Sequence, residues 1–147
     1  MSTTAQVIAL TTGVVNAIAA LVATWLWWRV DPRPQAWWLI RAGQAMAIVQ
    51  AVAAGILAAA GLHPDSGLFW LYALLPVAVS FVAEQLRLAS AETVLDHRGL
   101  ENAQAVGALP EDDQRSVVLQ IMRRELGVMA ASAWVIAFLA LRAIGTV

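Results

Sequence analysis

Hydrophobic positions fall in four long blocks, residues 5–28, 37–61, 68–88 and 126–144. Three connections separate them, two short and one long. Each block has about the length a helix needs to cross a bilayer, roughly 20 mostly apolar residues. The pattern predicts an all-α, polytopic membrane protein, with four transmembrane helices in a bundle forming one domain over residues 1–147. The third helix is not expected to stop at the membrane surface, because residues 88–98 continue a helical pattern without a breaker. Residues 102–108 are the predicted turn. Pro110 then stands at a first-turn position, followed by Glu111, Asp112 and Asp113. A proline whose missing N–H costs nothing, and acids facing the positive end of the dipole, both suit a helix start. The helices are thus expected near 5–28, 37–61, 68–98 and 111–144, the last two extended into a short cytoplasmic hairpin. Val118, Ile121, Met122 and Glu125 share one side of it, with Leu88 and Leu95 on the opposing segment.

Breakers and aromatic residues mark the other boundaries. Asp31, Pro32, Arg33 and Pro34 form a tight polar connector, since neither proline suits a helix interior. Gly61 and residues 63–67 turn the chain after the second block. Pro76 lies inside the third block and predicts a kink. Trp25, Trp27, Trp28, Trp37 and Trp38 bracket the first connection, as interfacial anchors do. Trp134 falls near mid-membrane and is expected to pack inside.

The arginines give an orientation. The first connection and its flank carry Arg29, Arg33 and Arg41, and the second connection carries none. The long third connection and its flanks carry Arg87, Arg98, Arg115, Arg123 and Arg124; the end of the chain has only Arg142. Short Arg-rich loops stay in the cytoplasm, so both termini are predicted to face outward. The N-terminal segment carries no basic residue, which argues for a retained spanning helix rather than a cleaved signal.

Composition narrows the class. At 61% hydrophobic and 13% charged, the chain departs from ordinary soluble domains at about 45–50% and 25%. The excess is divided into spanning lengths rather than gathered in one core. A net charge of -1 argues against nucleic acid as a partner, which needs a basic footprint. With no cysteine, disulfides and thiolate chemistry are excluded. His63 and His97 are assigned to opposite sides of the membrane, so no metal site is expected, and no cofactor. Basic residues that are all Arg, with abundant Ala, suggest a GC-rich bacterial genome and an inner-membrane location.

Three sets of residues are candidates for function. Gly43, Ala47, Ala51, Gly55 and Ala59 form a four-residue ladder of small side chains on the second helix, suited to close helix packing. Asn16, Gln50, Ser80 and Ser132 fall near the midplane, where a polar group without a partner is costly. They are expected to point inward, some bonding together. The third set is charged: Arg41, Glu84 and Glu125 reach similar depths, with Arg87, Arg123 and Arg124 close by. Ionisable groups in spans tend to face the interior and pair, so Arg41 is expected to meet Glu84 or Glu125.

No catalytic motif stands out. The leading expectation is a non-enzymatic assembly or accessory subunit packing through its second helix. Its partners would be the lipid bilayer and a homo-oligomer or a larger membrane protein. One alternative is a small homo-oligomeric channel or transporter, with a charged cytoplasmic-side vestibule for a lipid headgroup, anion or proton. The other is a membrane enzyme acting on a lipid, with Glu84, Glu92, Asp96 or His97 as acid or base.

Overall fold

The computed structural model describes residues 2–31 and 33–147. Pro32 of the first connector lies outside them. Among the described residues the chain is all-helical, with no strand. Four helices are long and apolar enough to cross a membrane: α1 (Ser2–Arg29), α2 (Pro34–Ala59), α3 (Leu68–His97) and, after the five-residue α4 (Ala103–Gly107), α5 (Glu111–Ala143). A 3-10 turn, Ile144–Thr146, follows α5. The chain is a multi-pass membrane protein on this evidence. α1 packs against α2 and α5, and α3 packs against α2 and α5. The turn expected over residues 102–108 contains α4, whose first N–H groups are capped by Asn102 Oδ1 accepting from Ala105 N at 2.9 Å.

The helices stop for local reasons. After α2 and α3, Gly61 (φ 94°) and Gly99 (φ 68°) take the left-handed position. The next N–H in each case reaches back: Leu62 to Leu57 O at 2.8 Å, and Leu100 to Leu95 O at 2.9 Å. This closure satisfies carbonyls that a helix end leaves bare, and glycine enters it without strain. α1 ends in the same closure, with Asp31 N on Leu26 O at 3.0 Å. There the left-handed residue is Val30 at φ 54°, a β-branched side chain in a region that penalises it.

Burial is inverted relative to a soluble protein. Val7, Leu21, Val52, Ile56, Phe81 and Phe138 face outward, while the core is mostly alanine. Around the middle, Ala19, Ala20 and Ala133 meet. In water this arrangement would forfeit apolar burial. In lipid the outward chains are already solvated, and association rests on close backbone contact between small residues.

The buried positions follow one rule. On α1 they include Ala5, Ala9, Thr12, Asn16, Ala19, Ala23 and Leu26; on α2 they are Ala36, Ile40, Gly43, Ala47, Gln50 and Ala54. On α3, Phe69, Ala73, Pro76, Ser80 and Ala83 continue it. The steps alternate four and three, a mean of about 3.5, which is the seam of left-handed helix packing. α5 buries a wider stripe, including Met129 with Ala130, Ser132 with Ala133, and Ile136 with Ala137, because it serves both α1 and α3.

Two sequence expectations shift. Trp134 is 43% exposed rather than packed inside. Its indole N–H donates to Thr24 Oγ1 at 3.0 Å, so the ring faces outward without a bare donor. Beyond the apolar blocks, α3 and α5 meet through Ser90, Val94 and Val117, all buried, whereas Leu88 and Val118 are 57% and 47% exposed. On α3 this seam continues the 3.5-residue rule, with steps of seven and four from Ala83 to Ser90 and Val94.

Candidate functional site

The charged set resolves into a node and a fringe. The node is Glu84 on α3. Its Oε1 accepts from Arg41 Nη1 and from Gln44 Nε2 (3.0 Å), both on α2, and its Oε2 accepts from Arg87 Nε at 3.0 Å one turn along α3. Arg41 also donates to Gln44 Oε1 at 2.7 Å, so the two α2 side chains brace each other. Arg87 lies over the Trp37 ring, 5.6 Å from its centroid. One carboxylate therefore ties α2 to α3 through two donors, and a third from its own helix holds it in place. Such charge-assisted bonds are the strong kind, and they leave Glu84 without a free lone pair on the protein side of Oε1.

Arg41 pairs with Glu84, not with Glu125. α2 is a full neighbour of α3 but touches α5 only slightly, so depth alone left a choice that the helix arrangement decides. Glu125 forms no ion pair among the described residues. Arg123 stacks on Trp27 of α1, 5.2 Å from the ring centroid. Trp27 can sit that close because Gly127 lies beneath it: a Cβ on Gly127 would stand 2.8 Å from the indole nitrogen. Arg124 is exposed and carries no carboxylate partner among the described residues.

The midplane set does not bond to itself. Asn16 donates to the Gly43 carbonyl at 3.0 Å and to Thr12 O at 2.9 Å, and Thr12 Oγ1 reaches Met46 O at 3.3 Å. The bonds to Gly43 O and Met46 O sew α1 to α2. Ser80 and Ser132 return to their own helices, at Pro76 O and Met129 O, both 2.8 Å. Gln50 is the informative member. Pro76 has no N–H, so the carbonyl four residues earlier, Tyr72 O, lacks its helical donor. The Gln50 amide, from α2, donates to that carbonyl at 3.4 Å.

The small-residue ladder divides. Gly43 and Ala47 are buried, Ala51 is half-buried, and Gly55 and Ala59 are exposed. A step of four residues advances about 400° on an α-helix of 3.6 residues per turn, so each rung slips about 40° from the last. After Ala47 the ladder leaves the seam, which Gln50 and Ala54 continue. The thread that sequence reasoning missed was therefore the alternating four-and-three spacing, present on α1, α2 and α3.

No family model matches the chain, and no curated protein or solved structure matches it either. Function has to be argued from the arrangement of its own residues.

Proposed function

We propose that the chain is a non-enzymatic assembly or accessory subunit of a membrane, an antiparallel four-helix bundle whose α3 and α5 extend into a short cytoplasmic hairpin. The observation that carries this reading is the outer face of α2. Only 22% of its most apolar stretch is buried, the lowest share of the four spanning helices. Ala45, Ile48, Val52, Gly55 and Ala59 are all exposed along it, again at alternating steps of three and four. Nothing lies within 4 Å of a Cβ placed on Gly55. Small and β-branched residues at that spacing are what one spanning helix needs to receive another. The node at Glu84 supports the same reading, because a carboxylate held by three donors is occupied with register rather than with proton transfer.

The test is the mass of the particle in mild detergent, together with any chain that co-purifies. Gly55→Leu is expected to reduce the assembled mass while leaving the thermal midpoint unchanged. Ala23→Leu is expected to lower the midpoint, since Ala23 is fully buried between helices. A monomeric wild type without partner would sink the proposal.

A second reading is a small homo-oligomeric channel or transporter. It is favoured by Arg41, whose side chain is 47% exposed and which precedes Ala45 on the same outer face. Copies meeting through α2 would bring several Arg41 groups toward a shared axis. Flux in purified liposomes, lost on Arg41→Ala, would select this reading over the first.

In either case we place both termini outside. The chain has no native cysteine, so single cysteines at Ser2, Asn102 and Val147 report cleanly. A membrane-impermeant maleimide applied to intact cells is expected to label the first and last only. Labelling of the Asn102 position alone would invert the topology.

A further inference from the structure

α3 and α5 part on their outer side. Leu75, Val79, Val82 and Leu86 of α3 and Val128 and Val135 of α5 line a groove of ≈ 480 Å³ between them. Alanines keep it open at mid-length, Ala78 on one wall and Ala131 on the other. Ser132, the polar residue among its lining, turns its hydroxyl to Met129 O, so the groove offers almost no hydrogen bond.

Its dimensions select an occupant. Leu75 to Leu86 covers about 16 Å at 1.5 Å per residue, and one leaflet of hydrocarbon is about 15 Å deep. The groove sits toward the arginine-rich end of both helices. Spread over that length, the ≈ 480 Å³ gives a cross-section of about 30 Å², against roughly 80 Å² for a helix 10 Å across. A single hydrocarbon chain fits that width along the whole length, whereas a helix could lay only a ridge of side chains into it.

The mouth has its own chemistry. Arg124 stands one turn before Val128 and two turns before Ala131, on the same face. It is exposed and has no carboxylate partner among the described residues. Glu125, beside it, lies close enough to Arg87 to feel its charge. Among the ionisable residues of this cluster, four arginines (Arg41, Arg87, Arg123 and Arg124) stand against two carboxylates (Glu84 and Glu125).

We propose that the α3–α5 groove holds one acyl chain of an anionic phospholipid from the arginine-side leaflet, with the lipid phosphate on Arg124. The apolar walls supply the seat, and Arg124 supplies the preference for a negative headgroup. The leaflet that faces the cytoplasm is the anionic one, which agrees with the proposed orientation.

Native mass spectrometry of the detergent-purified protein tests this, with added phosphatidylglycerol or phosphatidylcholine of identical chains. One phosphatidylglycerol per chain is expected to be retained, about fivefold over phosphatidylcholine. Arg124→Gln should bring the two lipids level. Ala131→Leu and Ala78→Leu, each at an exposed position that fills the groove, should abolish retention of both while the helical circular dichroism stays unchanged. Equal retention of the two lipids by wild type would overturn the proposal, as would full retention by both Leu variants. So would displacement of the lipid by millimolar inorganic phosphate, which would mark the mouth as a free-anion site. A fall in assembled mass on Ala131→Leu without any retained lipid would also overturn it, by showing a protein surface in the groove. Loss of oligomers on Gly55→Leu with lipid retention intact would leave this site standing apart from the assembly reading.

Discussion

Gly43→Leu is expected to be among the most damaging single substitutions in this chain, costing about 2–4 kcal/mol. Even a Cβ at that position would stand 2.5 Å from Asn16 Oδ1 and 2.9 Å from its Cγ. Asn16 cannot swing aside freely, because it is 1% exposed and held by two backbone carbonyls. Overpacking a closed core costs about 1–3 kcal/mol. Losing the interhelical hydrogen bond adds about 0.6, at most about 1.7 kcal/mol. Gly43→Ala should already lower the midpoint in a detergent unfolding titration, whereas Gly55→Ala should not move it. Adding Asn16→Ser to Gly43→Ala should return part of the loss, since the shorter side chain vacates the contested space. Equal midpoints for Gly43→Ala and Gly55→Ala would contradict the close approach of α1 and α2.

The second large effect is expected at Glu84. Glu84→Ala takes the acceptor from Arg87 Nε and Gln44 Nε2, leaves Arg41 with Gln44 Oε1 alone, and removes the carboxylate that stands between the two guanidinium groups. Breaking a fully buried pair costs about 3–5 kcal/mol. Here the Glu84 side chain is 24% and the Arg41 side chain 47% exposed, so solvent screening reduces the figure, to about 1–3 kcal/mol. The double-mutant cycle of Arg41→Ala with Glu84→Ala should show coupling well above the 0.3–0.5 kcal/mol scatter of independent sites. The cycle of Arg41→Ala with Glu125→Gln should fall within that scatter. Coupling to Glu125 of equal size would mean that α2 and α5 are closer than the helix arrangement places them.

The four spans were legible in the sequence because lipid-facing positions stay apolar all the way round and interruptions stand out. Relative position along the helices was legible too: Arg41 meets Glu84, and Glu125 lies close enough to Glu84 and Arg87 to feel their charges. What sequence reading lacked was the angle around each helix. The ladder from Gly43 to Ala59 counted rungs of four and ignored the 40° slip per rung, so it put on one face residues that divide between the buried seam, Gly43 and Ala47, and the outer side, Gly55 and Ala59. The same omission put Val118 on the hairpin seam in place of Val117, and left Arg41 undecided between two carboxylates. The partner of Gln50 was beyond reach for another reason. The vacancy at Tyr72 is implied by Pro76, but only the α2–α3 contact shows which side chain fills it.

That vacancy bears on how the protein is made. A spanning helix must satisfy every carbonyl within itself, and Pro76 denies α3 this self-sufficiency at Tyr72. α3 alone would carry one bare carbonyl in its second turn, at Tyr72, until Gln50 arrived. Synthesis runs from the N-terminus, so α2 leaves the ribosome first and its amide is already waiting when α3 emerges. α2 and α3 are then better regarded as a hairpin handed to the bilayer together than as two helices inserted in turn. A chain that presented α3 before α2, through circular permutation, would meet its obstacle at insertion rather than in the finished fold.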